Sequence, residues 1–111
     1  MAEPLHKNLA DGKWFTLTLA EQMGNIGSEV GRAFGWKEKN EKTLGENAGQ
    51  RALELFDLTI QDPRWLKRLK EIARAREVFC DFFYGNNTHG VTGKELEKYF
   101  YYFALSARIN R

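Results

Sequence analysis

Five small residues, Ala20, Gly24, Gly27, Gly31 and Gly35, recur at intervals of four, three, four and four. At roughly 100° per residue they fall on one side of an α-helix. Each helical glycine costs about 0.5–1 kcal/mol relative to alanine, so a ridge of four implies a compensating contact. Close approach of a neighbouring helix supplies one. The ridge therefore points to helix-on-helix packing, with the first long helix as the element approached most closely.

Prolines occur only at Pro4 and Pro63, and 3.6-residue periodicity fills the chain between breakers. The pattern predicts four helices. The first runs from about Trp14 to Trp36, with Phe15, Leu19, Met23, Ile26, Val30, Ala33 and Phe34 on a broad apolar face beside the ridge. Glu21, Gln22, Asn25, Glu29 and Arg32 take the polar remainder, and Lys37 to Lys42 reads as a solvated linker. The second helix opens on a Thr43/Glu46 capping box and turns Leu44, Ala48, Ala52, Leu55, Phe56 and Thr59 inward. Asp62 and Pro63 suit the N-cap and first position of the third, which stops near Tyr84 and Gly85. The fourth begins at a Thr92/Glu95 capping box, with Val91 and Leu96 placed as a hydrophobic staple, and continues to about Arg108. Short connections favour antiparallel neighbours, so the expected fold is an all-α, up-down-up-down four-helix bundle.

At 111 residues, 42% hydrophobic and 29% charged, the chain suits one helical domain over residues 1–111, with residues 1–12 a flexible or loosely packed segment. No apolar run approaches the ~20 residues of a membrane span, and the start of the chain lacks an apolar signal region. A lone Cys80 points to a reducing, cytoplasmic setting. A net charge of +2 does not by itself argue for nucleic acid.

The blocks LAEQMGNIGSEV (from Leu19), RALELFDLTIQDPRW (from Arg51) and REVFCDFFYGN (from Arg76) resemble a group of small prokaryotic helical-bundle proteins with no established activity. The resemblance covers most of residues 17–108. It implies a coherent fold and brings no catalytic residues. In architecture the chain is also similar to the four-helix accessory proteins of diversity-generating retroelements and to ribosomal intervening-sequence proteins. That likeness concerns fold, and function does not follow from it.

Three features carry functional expectations. On the third helix Trp65, Leu69, Ile72, Ala73, Phe79, Cys80 and Phe83 form the inward stripe, with Arg76 near its centre. A guanidinium there needs a carboxylate, carbonyls or a bound anion, and Glu29, Glu21 and Asn25 on the first helix are the nearest candidates. It is an internal ion pair, an arginine whose stem is buried while its head snorkels out, or an anion site. Second, Arg64, Lys67, Arg68, Lys70, Arg74 and Arg76 put six positive charges into thirteen residues. Such a run is a solvated face or, through Lys67, Lys70 and Arg74, a track for nucleic-acid phosphates. Third, Tyr101, Tyr102, Leu105 and Ile109 lie opposite the core face of the fourth helix. A helix apolar on two sides sits deep in the bundle, lays its tyrosines flat on the surface, or meets a second molecule; in so small a chain the last is favoured, which suggests a homo-oligomer, most simply a dimer.

Other chemistries lack their residues. His6 and His89 have no metal-ligand spacing, so no metal or cofactor is expected. The Arg-then-His spacing of helical ribonucleases is missing, because Phe83, Tyr84 and Gly85 occupy the required positions before His89. Glu38, Glu41, Glu54 and Asp57 match the carboxylate spacing of all-helical nucleoside triphosphate pyrophosphatases, which gather magnesium. Their first pair falls in the linker rather than on a helix. The expected function is a self-associating interaction or accessory module without catalysis of its own. A nucleic-acid-binding accessory protein is the alternative, and a magnesium-dependent pyrophosphatase the second alternative.

Overall fold

A computed structural model describes residues 12–109, so the expected N-terminal segment lies almost wholly outside the described residues. Four α-helices make up the fold: α1 (Leu19–Glu38), α2 (Lys42–Gln61), α3 (Leu69–Phe83) and α4 (Gly93–Ile109). Two 3-10 turns, Lys13–Thr16 and Pro63–Arg68, precede α1 and α3. No strand occurs among the described residues, and no helix among them is long and apolar enough to cross a membrane.

The first helix begins five residues later than its apolar pattern suggests. Thr18 accepts the Glu21 amide N–H at 3.1 Å, and Glu21 accepts the Thr18 N–H at 2.9 Å, forming a capping box. The chain ahead of it folds back as a 3-10 turn. This places Trp14 fully in the core, with its indole N–H donating to Thr59 Oγ1 at 3.0 Å.

At the other end of α1, Asn40 adopts φ 59°, the left-handed conformation. The Glu41 N–H then reaches the Trp36 carbonyl at 2.9 Å, and the Asn40 N–H reaches that of Lys37 at 3.1 Å, the two bonds of a Schellman motif. This tight reversal starts α2 at Lys42 with Glu41 as a cap without a side-chain bond, so the Thr43/Glu46 box does not form. Leu44 consequently sits in the exposed first turn, 42% accessible.

Asp62 caps the next segment as expected, accepting the Arg64 N–H at 3.0 Å. Pro63–Arg68 nevertheless winds as a 3-10 turn, and Trp65 breaks helical geometry at φ −101° and ψ 20°. The break resets the face of α3: Ile72, Ala75 and Phe79 are buried, while Ala73 is exposed. The α4 capping box forms as read, with Thr92 and Glu95 bonded at 3.0 and 3.1 Å.

The core is aromatic and aliphatic. Phe56 on α2 meets Phe79 of α3 and Phe100 of α4 at ring separations of 6.1 and 6.0 Å, beside Met23, Ile26 and Val30 of α1. Helix α1 packs along both α2 and α4, and α2 supports α3. Helices α3 and α4, although consecutive, do not pack along one another. Lys37 ties the ends of α1 and α3 together. Its ammonium donates to the Phe82 and Phe83 carbonyls at 3.3 Å each, where the α3 dipole favours a cation.

Candidate functional site

The outer face of α4 follows from its register. Leu96 and Phe100 are buried, and Phe103 packs against them, so Lys94, Lys98, Tyr101, Tyr102, Leu105 and Ile109 turn the other way. Tyr101 is 54% exposed, Tyr102 58% and Ile109 69%, with Leu105 half-buried between them. The helix keeps two phenolic rings and an isoleucine in water along one strip. Water does not favour that arrangement, whereas a partner surface would.

The small-residue ridge divides into two halves. A methyl on Gly27 would overlap Phe100 Cβ, and one on Gly24 would lie 3.2 Å from the Ala104 Cα. These glycines let α4 sit closely on α1. Gly31 and Gly35 have nothing within 4 Å of such a methyl, so the close contact expected there is not made. Ala20 lines a shallow trough with Ala104 and Ala107 at the outer edge of the same seam.

Arg76 is not brought together with Glu29, Glu21 or Asn25. Its Nε donates to Asp57 Oδ1 at 3.0 Å, across to α2, and its side chain remains 35% exposed. The reset of α3 explains this, because Arg76 flanks the buried stripe instead of centring it. The residues named beside it have other partners. Glu29, nearly buried, receives Arg32 at 2.7 Å and Arg51 at 3.1 Å and so joins α1 to α2. Glu21 closes the Thr18 box, and the Asn25 amide donates to the Glu21 carbonyl oxygen at 2.8 Å. Cys80 lies 3.9 Å from the Arg76 guanidinium, and partial burial pushes its thiol up despite that charge.

The basic run is thinned by internal pairing. Arg64 binds Asp62 at 2.7 Å and Arg68 binds Glu71 at 2.8 Å. Lys67, Lys70 and Arg74 are exposed and form no ion pair with a carboxylate among the described residues. Glu38, Glu41, Glu54 and Asp57 are not gathered into a set of three or more metal-ligating side chains among those residues.

One buried polar cluster escaped the sequence reading. Gln22, assigned to the polar side of α1, is fully buried. Its Nε2 donates to the Trp14 carbonyl at 2.9 Å and to Asp62 Oδ2 at 3.2 Å, while its Oε1 accepts the Trp65 indole N–H at 2.8 Å. Arg64 completes the set with bonds to Asp62 and, at 2.6 Å, to the Leu17 carbonyl. The signal was on the wheel: Gln22 and Glu29 lie seven residues apart, within about 60° of Ile26 and Ala33. Hydrogen bonds from Arg64 hold the Asp62 carboxyl below its ordinary range, against the opposing effect of burial. Its stabilising contribution is therefore present above a pH of about 4 and lost as acid carries the solution down through the depressed value. The cluster is closed and internally satisfied, which marks it as a structural clasp between α1, α2 and the Pro63–Arg68 turn.

No family model matches this chain, and neither a curated protein nor a solved structure shows significant similarity to it.

Proposed function

We propose that this protein is an interaction module that self-associates as a dimer through the outer face of α4, in the cytoplasm and without catalysis of its own. The observation that carries the reading is the strip of Tyr101, Tyr102, Leu105 and Ile109. Two tyrosines more than half exposed beside an exposed isoleucine have the composition of an interface centre. From Tyr101 to Ile109 the strip runs roughly 12 Å along a helix about 25 Å long, a little over two turns of contact for a second helix.

Within this reading the four helices form an antiparallel, up-down-up-down bundle. The pairings Gly24 with Ala104, Gly27 with Phe100 and Gly93 with Phe34 support it, since numbers rise along α1 as they fall along α4. The meeting of Lys37 with the end of α3 supports it as well.

Light scattering tests the proposal. Wild-type protein at tens of micromolar should have the mass of a dimer, and Tyr101→Glu/Tyr102→Glu should be a folded monomer. A monomeric wild type, or a double variant that stays dimeric, rejects the α4 interface.

A second reading, nucleic-acid binding, is favoured by Lys67, Lys70 and Arg74, exposed cations without a carboxylate partner among the described residues. If it holds, retention on heparin should fall steeply with salt and weaken when all three become alanine, while the dimer mass stays unchanged. Retention indifferent to that triple substitution rejects it.

A further inference from the structure

The consecutive helices α3 and α4 leave a gap between them, and the gap is built from apolar walls. Ala75 and Val78 of α3, Val91 of the loop, and Leu96, Tyr99 and Phe100 of α4 enclose a half-open cavity of about 250 Å³. Apolar gaps ordinarily close, because their lining gains dispersion contacts by collapsing. Here both walls are anchored elsewhere. Helix α4 is seated on α1 at Gly24 and Gly27 and at its first residue, Gly93, against Phe34. Helix α3 is held to α2 by the Asp57–Arg76 pair and by Phe79 on Phe56.

The connection between them is equally fixed. Asp81 accepts the His89 N–H at 2.9 Å and the Thr88 hydroxyl at 3.0 Å, and the Asn87 side chain bonds both polar atoms of the Val91 backbone. The cavity is therefore preformed. One of about 150 Å³ with such walls already takes a benzene ring, so this one has room for a ring or short chain with a small substituent.

Three charged side chains stand at its edge, and they are not equivalent. Glu71 is neutralised by Arg68 at 2.8 Å, and Glu95 accepts the Thr92 N–H at the positive end of α4. The Arg74 guanidinium lies 3.5 Å from His89 Nδ1 and forms no ion pair with a carboxylate among the described residues, with Lys70 one helical turn away. Arg74 is the one cation among the described lining side chains. Tyr99, half-buried in the wall, makes no hydrogen bond through its hydroxyl with another described residue and is available as a donor.

We infer that the α3–α4 cavity binds a small amphipathic carboxylate, its aryl or short alkyl group between Ala75, Val78, Leu96 and Tyr99 and its carboxylate on Arg74. This site is separate from the proposed dimer face, so either can fail without the other.

The test is an amide-resolved NMR titration with 3-phenylpropionate and hexanoate, each beside its neutral amide. Both acids should saturate with dissociation constants of roughly 0.1–1 mM, the range expected for ligands of this size. The shifts should centre on Ala75, Val78, Val91, Leu96 and Tyr99. Each acid should bind about 10-fold more tightly than its amide, as a charge-assisted bond to Arg74 requires. Arg74→Gln, at an exposed position, should erase that preference and leave amide binding unchanged. Ala75→Phe should fill the cavity and abolish binding of both, and Val78→Phe serves the same purpose if the first variant does not fold.

No saturable shift at these residues overturns the site. Equal binding of acid and amide by the wild type overturns the carboxylate assignment. Shifts at the same residues on simple dilution, without ligand, would show a second copy in the cavity and overturn the small-ligand proposal.

Discussion

Replacing Gln22 by leucine is expected to lower folding stability by roughly 2–4 kcal/mol, although leucine fills a similar volume. What disappears is a set of three hydrogen bonds, two of them buried and the third, from Trp65, partly so. Without Gln22 the Trp14 carbonyl loses its donor and the Trp65 indole N–H loses its acceptor. Each buried group left without a partner costs about 1–3 kcal/mol, so two of them account for the expected range. Urea denaturation measures it as a lower midpoint at unchanged slope. A loss below about 1 kcal/mol would mean that the clasp rearranges around leucine, and the structural role given to Gln22 would be wrong.

A companion substitution checks the electrostatics. Gln22→Glu sets a second carboxyl against Asp62 Oδ2, which the glutamine amide now approaches to 3.2 Å. Two ionised carboxylates cannot share that position, so the deficit relative to wild type should be largest near neutral pH. It should shrink as acid protonates one of the pair. A deficit independent of pH would place the introduced carboxylate in solvent, away from Asp62.

The second large effect is a difference in sign between two glycines of one helix. Gly27→Ala should destabilise the protein by about 1–3 kcal/mol, because the new methyl overlaps Phe100 Cβ and α4 must move off α1. Gly31→Ala, one turn further along, has open space for its methyl and should stabilise by up to about 1 kcal/mol through helix propensity alone. Thermal unfolding of both variants decides the matter. If both raise the midpoint, the α1–α4 contact is looser than the structure has it. If both lower it, Gly31 faces a neighbour after all.

That contrast shows where the sequence was readable. The spacing from Ala20 to Gly35 identified one side of α1, and α4 does approach closely at Gly24 and Gly27. Spacing alone did not reveal that the contact ends before Gly31, because a helical wheel carries no information on where the neighbouring helix diverges. Thr92 and Glu95 were legible for a different reason: a capping box is closed within four residues and needs no tertiary partner. Thr43 and Glu46 make the same pattern and form no box, because Asn40 ends α1 in a Schellman motif that starts the next helix two residues early. Local signals compete, and here the Schellman motif is the one that forms.

Candidate-site residues divide along the same line. Tyr101, Tyr102 and Ile109 were identifiable from periodicity, since the face opposite a helix's core stripe follows from its register. Arg76 was given the wrong neighbours because the 3-10 turn at Pro63–Arg68 rotates the buried stripe of α3 to Ile72, Ala75 and Phe79. Lys37 read as linker charge, and only the meeting of two helix ends makes it a cap for the Phe82 and Phe83 carbonyls.

The sequence by itself determined that the described residues fold as helices, in about four long segments with apolar faces on each, because the period of the apolar residues and the caps are local properties. It also determined that α4 would be apolar on both sides. Tertiary structure alone decided which polar groups are buried together, as with Gln22, Asp62 and Arg64, and which charges pair, as with Asp57 and Arg76. It decided as well that α3 and α4 stand apart around a cavity. Those outcomes depend on distances between segments far apart in the chain, set by packing of the whole core, and no short-range pattern encodes them.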